Sequence, residues 1–263
     1  MDIAVVGGIL FGIISIVIGY LLEGGEIGSL FQVTAAMIVF GGTIGATAVG
    51  YSVSELKNLP KILQVALFGK EPDLIGTIDT IVKLAVKARK EGLIALESDL
   101  EKVDNQFLKK GLQLVVDAAD PTMVKNSMEL SIYATEQRHK VGIGIFEAAG
   151  GYAPTMGIVG TVMGLVHVLS SLNEPESLGG AIAVAFIATL YGISSANLLW
   201  LPIAAKLKNK SHKETMVMEM MIEGVLAIQA GENPMFIQAR LTNFLRAKDW
   251  EAVGGKDSAE AKE

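Results

Sequence analysis

The stretch AAGGYAPTMGIVGTVMGLVHVLSSLN, residues 148–173, contains no Asp, Glu, Lys or Arg. Its 26 residues exceed the roughly 20 apolar residues that a helix needs to cross the hydrocarbon core of a bilayer. Three further stretches without charge, of 20, 28 and 29 residues, occupy 3–22, 27–54 and 177–205. Only 19% of the chain is charged, against about 25% in an ordinary soluble domain. The sequence therefore predicts an all-α polytopic membrane protein with four transmembrane helices.

The basic residues predict the orientation of these helices. All 22 Lys and Arg residues lie in two blocks, thirteen within 57–140 and nine within 206–262. All charged residues in the short connections at 23–26 and 173–176 are acidic. Because cytoplasmic segments of membrane proteins are enriched in Lys and Arg, both blocks and both termini are predicted to lie in the cytoplasm, with the protein in the cytoplasmic (inner) membrane.

The charge pattern divides the chain into four segments. Residues 1–54 contain transmembrane helices 1 and 2, and residues 147–205 contain helices 3 and 4. Between them, residues 55–146 are long enough for a helical cytoplasmic domain. Residues 206–263 form a helical cytoplasmic tail, which is predicted to be disordered from about residue 254 because it becomes polar and glycine-containing.

Apolar residues at helical spacing predict amphipathic helices in the cytoplasmic parts. Asp120 followed by Pro121 is typical of an N-cap and a first helical residue, and no helix breaker follows before residue 142, so this helix is expected to continue into the third span. The predicted cytoplasmic helices cover 75–91, 93–103, 107–119, 122 onward, 206–230 and 235–246.

Several kinds of chemistry have no sequence support. The chain has no phosphate-binding loop and no cysteine, and its three histidines, His139, His167 and His212, are widely separated in the sequence. We therefore expect no enzyme activity, no cofactor, no metal site and no nucleic-acid binding. No carboxylate lies inside a span, and Glu147 stands only at the edge of the third. Ion paths usually need a titratable group at membrane depth, so an ion-conducting role predicts a partner polypeptide that supplies the carboxylate.

Small residues recur every fourth position in the spans, a pattern that allows close helix packing in lipid. We expect those of spans 1 and 2 to pack within the chain, and those of spans 3 and 4 to face a helix from outside it. The residues concerned are Gly8, Gly12, Gly41, Gly45, Gly160, Gly164, Ala181, Ala185, Ala188, Thr189, Gly192 and Ala196.

Two prolines and two threonines are the unusual residues of spans 3 and 4. Pro154 and Pro202 each remove a backbone donor, which tends to kink a helix. Thr155 and Thr189 are polar groups within these spans. A threonine hydroxyl usually bonds to its own helix, or it can line a hydrated path.

Two motifs resemble one family of membrane proteins. Residues 151–167, GYAPTMGIVGTVMGLVH, are similar to the third-span motif of MotA/PomA flagellar stator subunits. Residues 221–234, MIEGVLAIQAGENP, are similar to their tail signature, and Arg89, Gly92 and Glu97 resemble their cytoplasmic loop. The resemblance covers nearly the whole chain, and extends distantly to the ExbB/TolQ energisers.

The resemblance implies a function and a set of partners. Such A subunits form a ring, thought to be of five copies, around two MotB-like B subunits that supply the ion-binding aspartate. Ion flow drives the ring to rotate and to push on the rotor switch protein FliG. Arg89 and Glu97 match the charged pair that meets the rotor.

The resemblance also implies roles in the ion path. Pro154 and Pro202 match positions that couple conformational change to ion passage, and Thr189 matches the threonine facing the path. Thr155 occupies a position where sodium-driven members favour hydroxyls, which leaves the ion open between H⁺ and Na⁺; we favour protons. Two alternatives have other functions: an ExbB/TolQ-type proton channel subunit, which would have three spans, and a passive membrane scaffold.

Overall fold

The computed structural model describes residues 3–69, 71–170, 173 and 175–250. Residue 174 of the predicted outer loop and the predicted disordered tail from residue 254 lie outside these ranges. All regular structure in the described part of the chain is helical. Two compact units are present, one formed by residues 1–70 and 139–210 and the other by residues 71–138 and 211–263. The predicted membrane boundaries at residues 54, 146 and 205 stay predictions, since compactness does not locate a bilayer surface.

Four helical regions are long and apolar enough to cross a membrane, in agreement with the prediction. Span 1 is the helix Ile3–Leu22, and span 2 covers Ile27–Val49. Span 3 is the apolar part of the helix Pro121–Ser170, which runs unbroken for 50 residues as the sequence predicted. Span 4 begins with the helix Pro175–Ser195 and ends in the first turns of the helix Leu201–Gln229.

Spans 2 and 4 each contain one π-helical segment. In span 2 it covers Met37–Gly41, and in span 4 it covers Ala196–Trp200 and is followed by the helix Leu201–Gln229. A π segment widens one turn and leaves it less regularly bonded, which is why such segments are frequent at functional sites. Neither segment was predicted, because hydropathy and period report the helix but not its local winding.

Unit 1 is held together by contacts between span 2 and span 4. Ala35, Val39 and Ala188 form a buried cluster in which Tyr191 also packs. The Tyr191 hydroxyl donates to the carbonyl of Leu30 at 2.5 Å. Because this carbonyl precedes the α-helical part of span 2, the bond ties the start of that span to span 4.

A short helix, Leu59–Phe68, packs beside the start of span 3 and the end of span 4 and is called here the interfacial helix. Its buried Ala66 packs in a second apolar cluster with Phe146 of span 3 and Ile203 after span 4. Lys210 closes the far end, since its Nζ donates to the carbonyls of Val65 at 2.7 Å and Gly69 at 2.8 Å. A lysine at a helix C-terminus satisfies carbonyls that have no partner within the helix.

Unit 2 is a helical domain around one apolar core. Helix Leu74–Glu91 starts at Asp73, whose side chain accepts from the Gly76 amide, and ends at Gly92. Helix Gln106–Val116 starts at Asn105, and the chain then enters the long helix at Pro121. The second half of the helix Leu201–Gln229 and the helix Pro234–Thr242, capped by Asn233, follow. The core combines residues of all these helices.

The predicted apolar faces of unit 2 are confirmed by burial. The predicted stripe on the last long helix is buried throughout, at Met218, Met221, Ile222, Val225 and Ile228. The predicted helix over 93–103 is wrong. The chain instead forms a 3₁₀ turn, Leu93–Leu96, and a single α-turn, Glu97–Leu100. This winding lets the side chains of Leu96 and Leu100 both enter the core of unit 2.

The predicted packing of small residues of spans 1 and 2 within the chain is confirmed at Gly12, where an added Cβ would lie 2.8 Å from a side-chain carbon of Leu198, but not at three other glycines. An added Cβ at Gly8, Gly41 or Gly45 would meet nothing within 4 Å, so these glycines do not mediate packing within the chain. At Gly160 it would lie 2.5 Å from the Ala188 Cβ. Glycines and alanines of spans 3 and 4 therefore pack against each other, because only small side chains permit that short interhelical distance. That spans 3 and 4 also face a helix from outside the chain stays a prediction.

Candidate ion path and rotor-contact site

Spans 3 and 4 approach each other closely around Gly157 and Gly192. A Cβ added at Gly192 would lie 2.6 Å from the carbonyl oxygen of Ala153 and 3.0 Å from the Cα of Gly157. Both glycines are buried. The main chains are in van der Waals contact here, so a change in the winding of one span displaces the other directly.

Two threonine hydroxyls meet at this crossing. Thr189 of span 4 hydrogen-bonds to the hydroxyl of Thr161 in span 3. The Thr161 hydroxyl also lies 3.1 Å from the carbonyl oxygens of both Gly157 and Ala185. Because a hydroxyl has one hydrogen, Thr189 donates to the Thr161 oxygen whenever Thr161 donates to a carbonyl. Four oxygen atoms thus converge on one half-buried point between the spans.

Thr161 is the site residue that the sequence analysis missed. It was passed over because one threonine in an apolar span normally bonds only to its own helix. A usable signal was present in its register: Thr161 follows Gly157 by four residues and precedes Gly164 by three. It therefore lies on the glycine face of span 3, which is the face that contacts span 4.

Pro154 lies one turn from this crossing. It follows Ala153, the residue whose carbonyl faces Gly192, and it is half-buried. Span 3 remains α-helical through it. Because proline has no N–H, the carbonyl of Gly150 has no donor four residues later. The helix is weakened beside its closest contact with span 4.

Thr155 points away from the contact between spans 3 and 4. Its side chain is exposed, and its hydroxyl donates to the carbonyl of Tyr152 at 2.7 Å. The same outer surface of span 3 carries the exposed side chains of Ile158, Val162 and Val166. Thr155 is therefore on a surface that is free to meet another polypeptide.

Pro202 is separated from the other predicted ion-path residues. It lies thirteen residues after Thr189, which is about 20 Å along a helix. It is exposed, and it directly follows the π segment Ala196–Trp200 and Leu201. Because Pro202 cannot donate to the carbonyl of Leu198, the proline and the π segment loosen the same turn. The structure therefore brings Pro154 and Thr189 together and places Pro202 at a second weak point of span 4.

Titratable groups are scarce at this depth. Within the described residues of the four apolar stretches no carboxylate is present, and Glu147 is exposed at the edge of span 3. His167 is exposed near the C-terminal end of span 3. The hydroxyl cluster can orient a proton or contact a cation, but it has no group that binds and releases a charge within the path.

Arg89 and Glu97 lie on the surface of unit 2. Arg89 is in the last turn of helix Leu74–Glu91, and Glu97 begins the short α-turn after Gly92. Both side chains are exposed, and within the described part of the chain neither forms an ion pair. Exposed charges without an internal partner are available to a partner of opposite charge.

The segment that carries Glu97 is fixed rather than mobile. Lys87 on the preceding helix forms an ion pair with Asp99 at 2.5 Å and donates to the Ser98 hydroxyl at 2.9 Å. Lys102 contacts the other oxygen of Asp99 at 2.8 Å. Hydrogen bonds from Lys102 and Lys87 hold the pKa of Asp99 below its usual value. The sequence did not predict this pairing, because side-chain contacts at a turn are not visible in the hydropathy pattern.

Comparison with known proteins identifies the family. A family model described as motility protein A N-terminal matches residues 6–92, and one described as the MotA/TolQ/ExbB proton channel family matches residues 99–220. Motility protein A of Bacillus subtilis (strain 168) is 39% identical over 253 residues, which are 95% of this chain and 93% of that protein. The chain belongs to the motility protein A family.

Two further similarities extend over the same length. Chemotaxis protein PomA of Vibrio alginolyticus is 38% identical, with 93% of this chain and 96% of that protein covered. The solved flagellar MotAB stator complex from Bacillus subtilis contains a chain that is 38% identical, with a TM-score of 0.87 and coverage of 93% of this chain and 96% of that one. The predicted fold class and the predicted resemblance to MotA/PomA are confirmed.

Family membership also decides between the alternatives. The N-terminal motility protein A model covers both spans that precede the large loop, so the ExbB/TolQ alternative has no further support. The family is one of ion-channel stator subunits, and its several apolar helices fit a protein of the inner membrane. The roles of Pro154, Thr155, Thr189, Pro202, Arg89 and Glu97 stay predictions.

Proposed function

We propose that the chain is the A subunit of a flagellar stator that conducts protons together with a B subunit and converts the flux into torque. The observation that carries this proposal is the cluster of Thr161 and Thr189 at the crossing of spans 3 and 4, where hydroxyls are present and a carboxylate is absent from the described span residues. A carboxylate at that depth must then come from a partner. In this proposal a MotB-like subunit with one span supplies it, and the similar solved structure is that of a MotAB stator complex.

The exposed surface of span 3 is the surface that would meet the partner. Thr155 lies there beside apolar side chains that a transmembrane helix can contact. When the partner's carboxylate takes up or releases a proton, its charge changes by one unit next to Pro154. The weakened turns at Pro154 and at Pro202 are where the spans would adjust. Several A subunits around the partner, five in the predicted ring, would adjust in turn.

The rotor contact is proposed at Arg89 and Glu97. Their charges are exposed and lack internal partners among the described residues, and the pairing of Lys87 with Asp99 fixes the segment between them. A fixed charged surface can transmit force to the switch protein of the rotor, whereas a mobile loop would yield. This role requires unit 2 in the cytoplasm, with both termini on the same side, as the distribution of Lys and Arg supports. No enzyme activity and no bound cofactor form part of this proposal.

A sodium-driven, PomA-type stator is the second candidate. The observation that favours it is the convergence of two hydroxyl oxygens and two carbonyl oxygens at Thr161. Hard cations prefer oxygen ligands of this kind. Identity over the whole chain does not separate the candidates, since it is 39% to motility protein A and 38% to PomA.

Swimming speed tests the proposal and separates the two ions. Cells lacking their own stator genes would express this chain with its B subunit, at constant ionic strength, over a series of sodium concentrations. A proton-driven stator gives speeds independent of sodium that fall to zero with a protonophore. Speeds that rise with sodium and withstand the protonophore would support the sodium candidate, and no swimming in either condition would contradict both.

A further inference from the structure

An open apolar groove lies in unit 1, away from the crossing of spans 3 and 4. Its volume is about 440 Å³, within the range of about 300–1,000 Å³ that is usual for small-molecule sites. Span 2 contributes Ala48 and Thr47, the interfacial helix contributes Leu59 and Leu63, and span 3 contributes Phe146. The single hydroxyl among these five, that of Thr47, is used by the carbonyl of Thr43 at 2.8 Å. Water gains little there, because a buried water needs two to four polar partners.

The groove is at the depth where the apolar spans end. Ala48 is next to Val49, the last residue of span 2, and Phe146 precedes Glu147, the charged residue at the edge of span 3. Its other wall is the interfacial helix, which lies within the first block of Lys and Arg residues, 57–140. In a bilayer this depth is occupied by the parts of the acyl chains that lie nearest the phosphates.

Two lysines lie beside the groove. Lys57 and Lys61 are exposed, stand four residues apart, and each follows a groove-lining residue, Leu56 and Pro60. Neither forms an ion pair within the described residues. The nearby carboxylate of Glu55 accepts from the amide and the hydroxyl of Ser52 at 2.7 Å and is used in capping a helix. Two unpaired ammonium groups above an apolar groove are complementary to a phosphate joined to acyl chains.

We propose that this groove binds one membrane phospholipid, with an acyl chain against Ala48 and Leu63 and the phosphate at Lys57 and Lys61. The lipid fills the space between the interfacial helix and the spans. It thereby completes the packing that Ala66 and the Lys210 cap begin. The proposal goes beyond the stator function and depends only on the spans lying in a bilayer.

Photo-cross-linking in reconstituted vesicles tests the site. The full chain with its B subunit would be incubated in vesicles of phosphatidylethanolamine and phosphatidylglycerol, with a trace of phosphatidylglycerol carrying a diazirine on one acyl chain. Cross-linked positions are then mapped by mass spectrometry. Ala48→Phe places a ring in the groove, whereas Val49→Phe makes the same change at the neighbouring position, which is 89% exposed and outside the groove.

The expected result is dense cross-linking of residues 56–63 and 145–149 in the parent and in Val49→Phe. In Ala48→Phe, cross-linking should fall to the level found on the exposed surface of span 1 around Phe11. Lys57→Gln should weaken lipid retention about fivefold, since one basic residue near anionic headgroups contributes about 1 kcal/mol. A diazirine on phosphatidylethanolamine instead identifies which headgroup is retained, because both carry the phosphate.

Three results would overturn the proposal. One is groove cross-linking no denser in the parent than around Phe11, and another is groove cross-linking unchanged by Ala48→Phe. The third is capture of a second A chain, in place of lipid, by a photoreactive residue at position 63. If Ala48→Phe does not accumulate, Ala48→Leu fills part of the groove and is judged by the same comparison. None of these readouts involves motility, so a failure here is distinct from a failure of the stator function.

Discussion

At the scale of single residues, the hydroxyl pair between spans 3 and 4 is the main polar feature of their crossing. Thr161 and Thr189 bond to each other across it, beside glycines that bring the main chains together. Such a bond can hold two spans together, and the same hydroxyls can line a hydrated path. Ion flux in variants that lack the hydroxyls separates these two roles.

The first prediction concerns this pair. Thr161→Val and Thr189→Val keep the shape of the side chain and remove the hydroxyl, so each should lower ion flux about fivefold, as expected for a lost hydrogen bond of about 1 kcal/mol. Ion flux would be measured with a pH-sensitive fluorescent protein in cells that also express the B subunit. Thr34→Val, at an exposed threonine of span 2, is the control and should conduct normally. Normal flux in both core variants would mean that the pair is structural only.

The second prediction concerns Pro202. In Pro202→Leu the new amide can donate to the carbonyl of Leu198, which stiffens the turn next to the π segment. Motility should be abolished or nearly so, while the complex still assembles and is recovered from membranes. Pro234→Ala is the matched control, because a proline at the start of a helix displaces no hydrogen bond. A Pro202→Leu strain that swims like the parent would remove this residue from the coupling mechanism.

At the scale of elements, the short return after Gly92 carries the proposed rotor contact. Gly92 has a φ of 90°, a conformation that favours glycine and reverses the chain at the end of its helix. Leu96 and Leu100 then anchor the return in the core, and Lys87 holds Asp99. The element is built to present its outer charges in a fixed arrangement.

The third prediction follows from those outer charges. Arg89→Glu and Glu97→Lys should impair swimming without lowering membrane levels or ion conductance, because like charges would then face each other across the contact. Opposite reversals in the rotor protein should restore part of the motility. Lys110→Glu reverses an exposed charge elsewhere in unit 2 and should have no effect. The assignment fails if both reversals swim normally, or if the protein is lost from the membrane.

The fourth prediction concerns the ion pairs of Asp99. Its pKa is lowered in the folded protein, so the stabilisation is present above the unfolded pKa of about 3.9 and is lost as pH falls through the folded value. Asp99→Asn should therefore lower the thermal midpoint by the same amount from pH 5 to 8, and the difference from the parent should vanish in stronger acid. Thermal unfolding in detergent measures this, with Asp79→Asn, an exposed i,i+4 pair with Lys83, as control. A difference that grows on acidification would contradict the assignment.

At the scale of the whole molecule, the sequence predicted the order and nature of the helices but not their partners. Long charge-free stretches report spans directly, and Asp120 with Pro121 reported the start of the 50-residue helix. Gly160 and Ala188 were assigned to an outside helix, although they face each other. Periodicity identifies a small-residue face, but it does not say which surface meets it.

The candidate site was predicted in the same partial way. Motif resemblance selected Pro154 and Thr189, which the fold brings to one crossing, whereas Thr161 required the contact between the two spans to be seen. Pro202 was grouped with them by motif alone and lies about 20 Å away along its helix. The distance between residues on different helices depends on how the helices pack, and the periodicity of a single sequence does not show that packing.

The central claim is that these spans conduct ions only when a partner supplies the carboxylate. The direct measurement is the fall in cytoplasmic pH after an external acid pulse, recorded in cells that express this chain alone, with its B subunit, or with a B subunit whose membrane aspartate is replaced by Asn. We predict acidification with the intact B subunit and none above background in the other two. Acidification by this chain alone, or by the complex with the Asn variant, would contradict the account. No acidification in any of the three would contradict proton conduction and leave the sodium candidate and the passive scaffold, which swimming over a series of sodium concentrations separates.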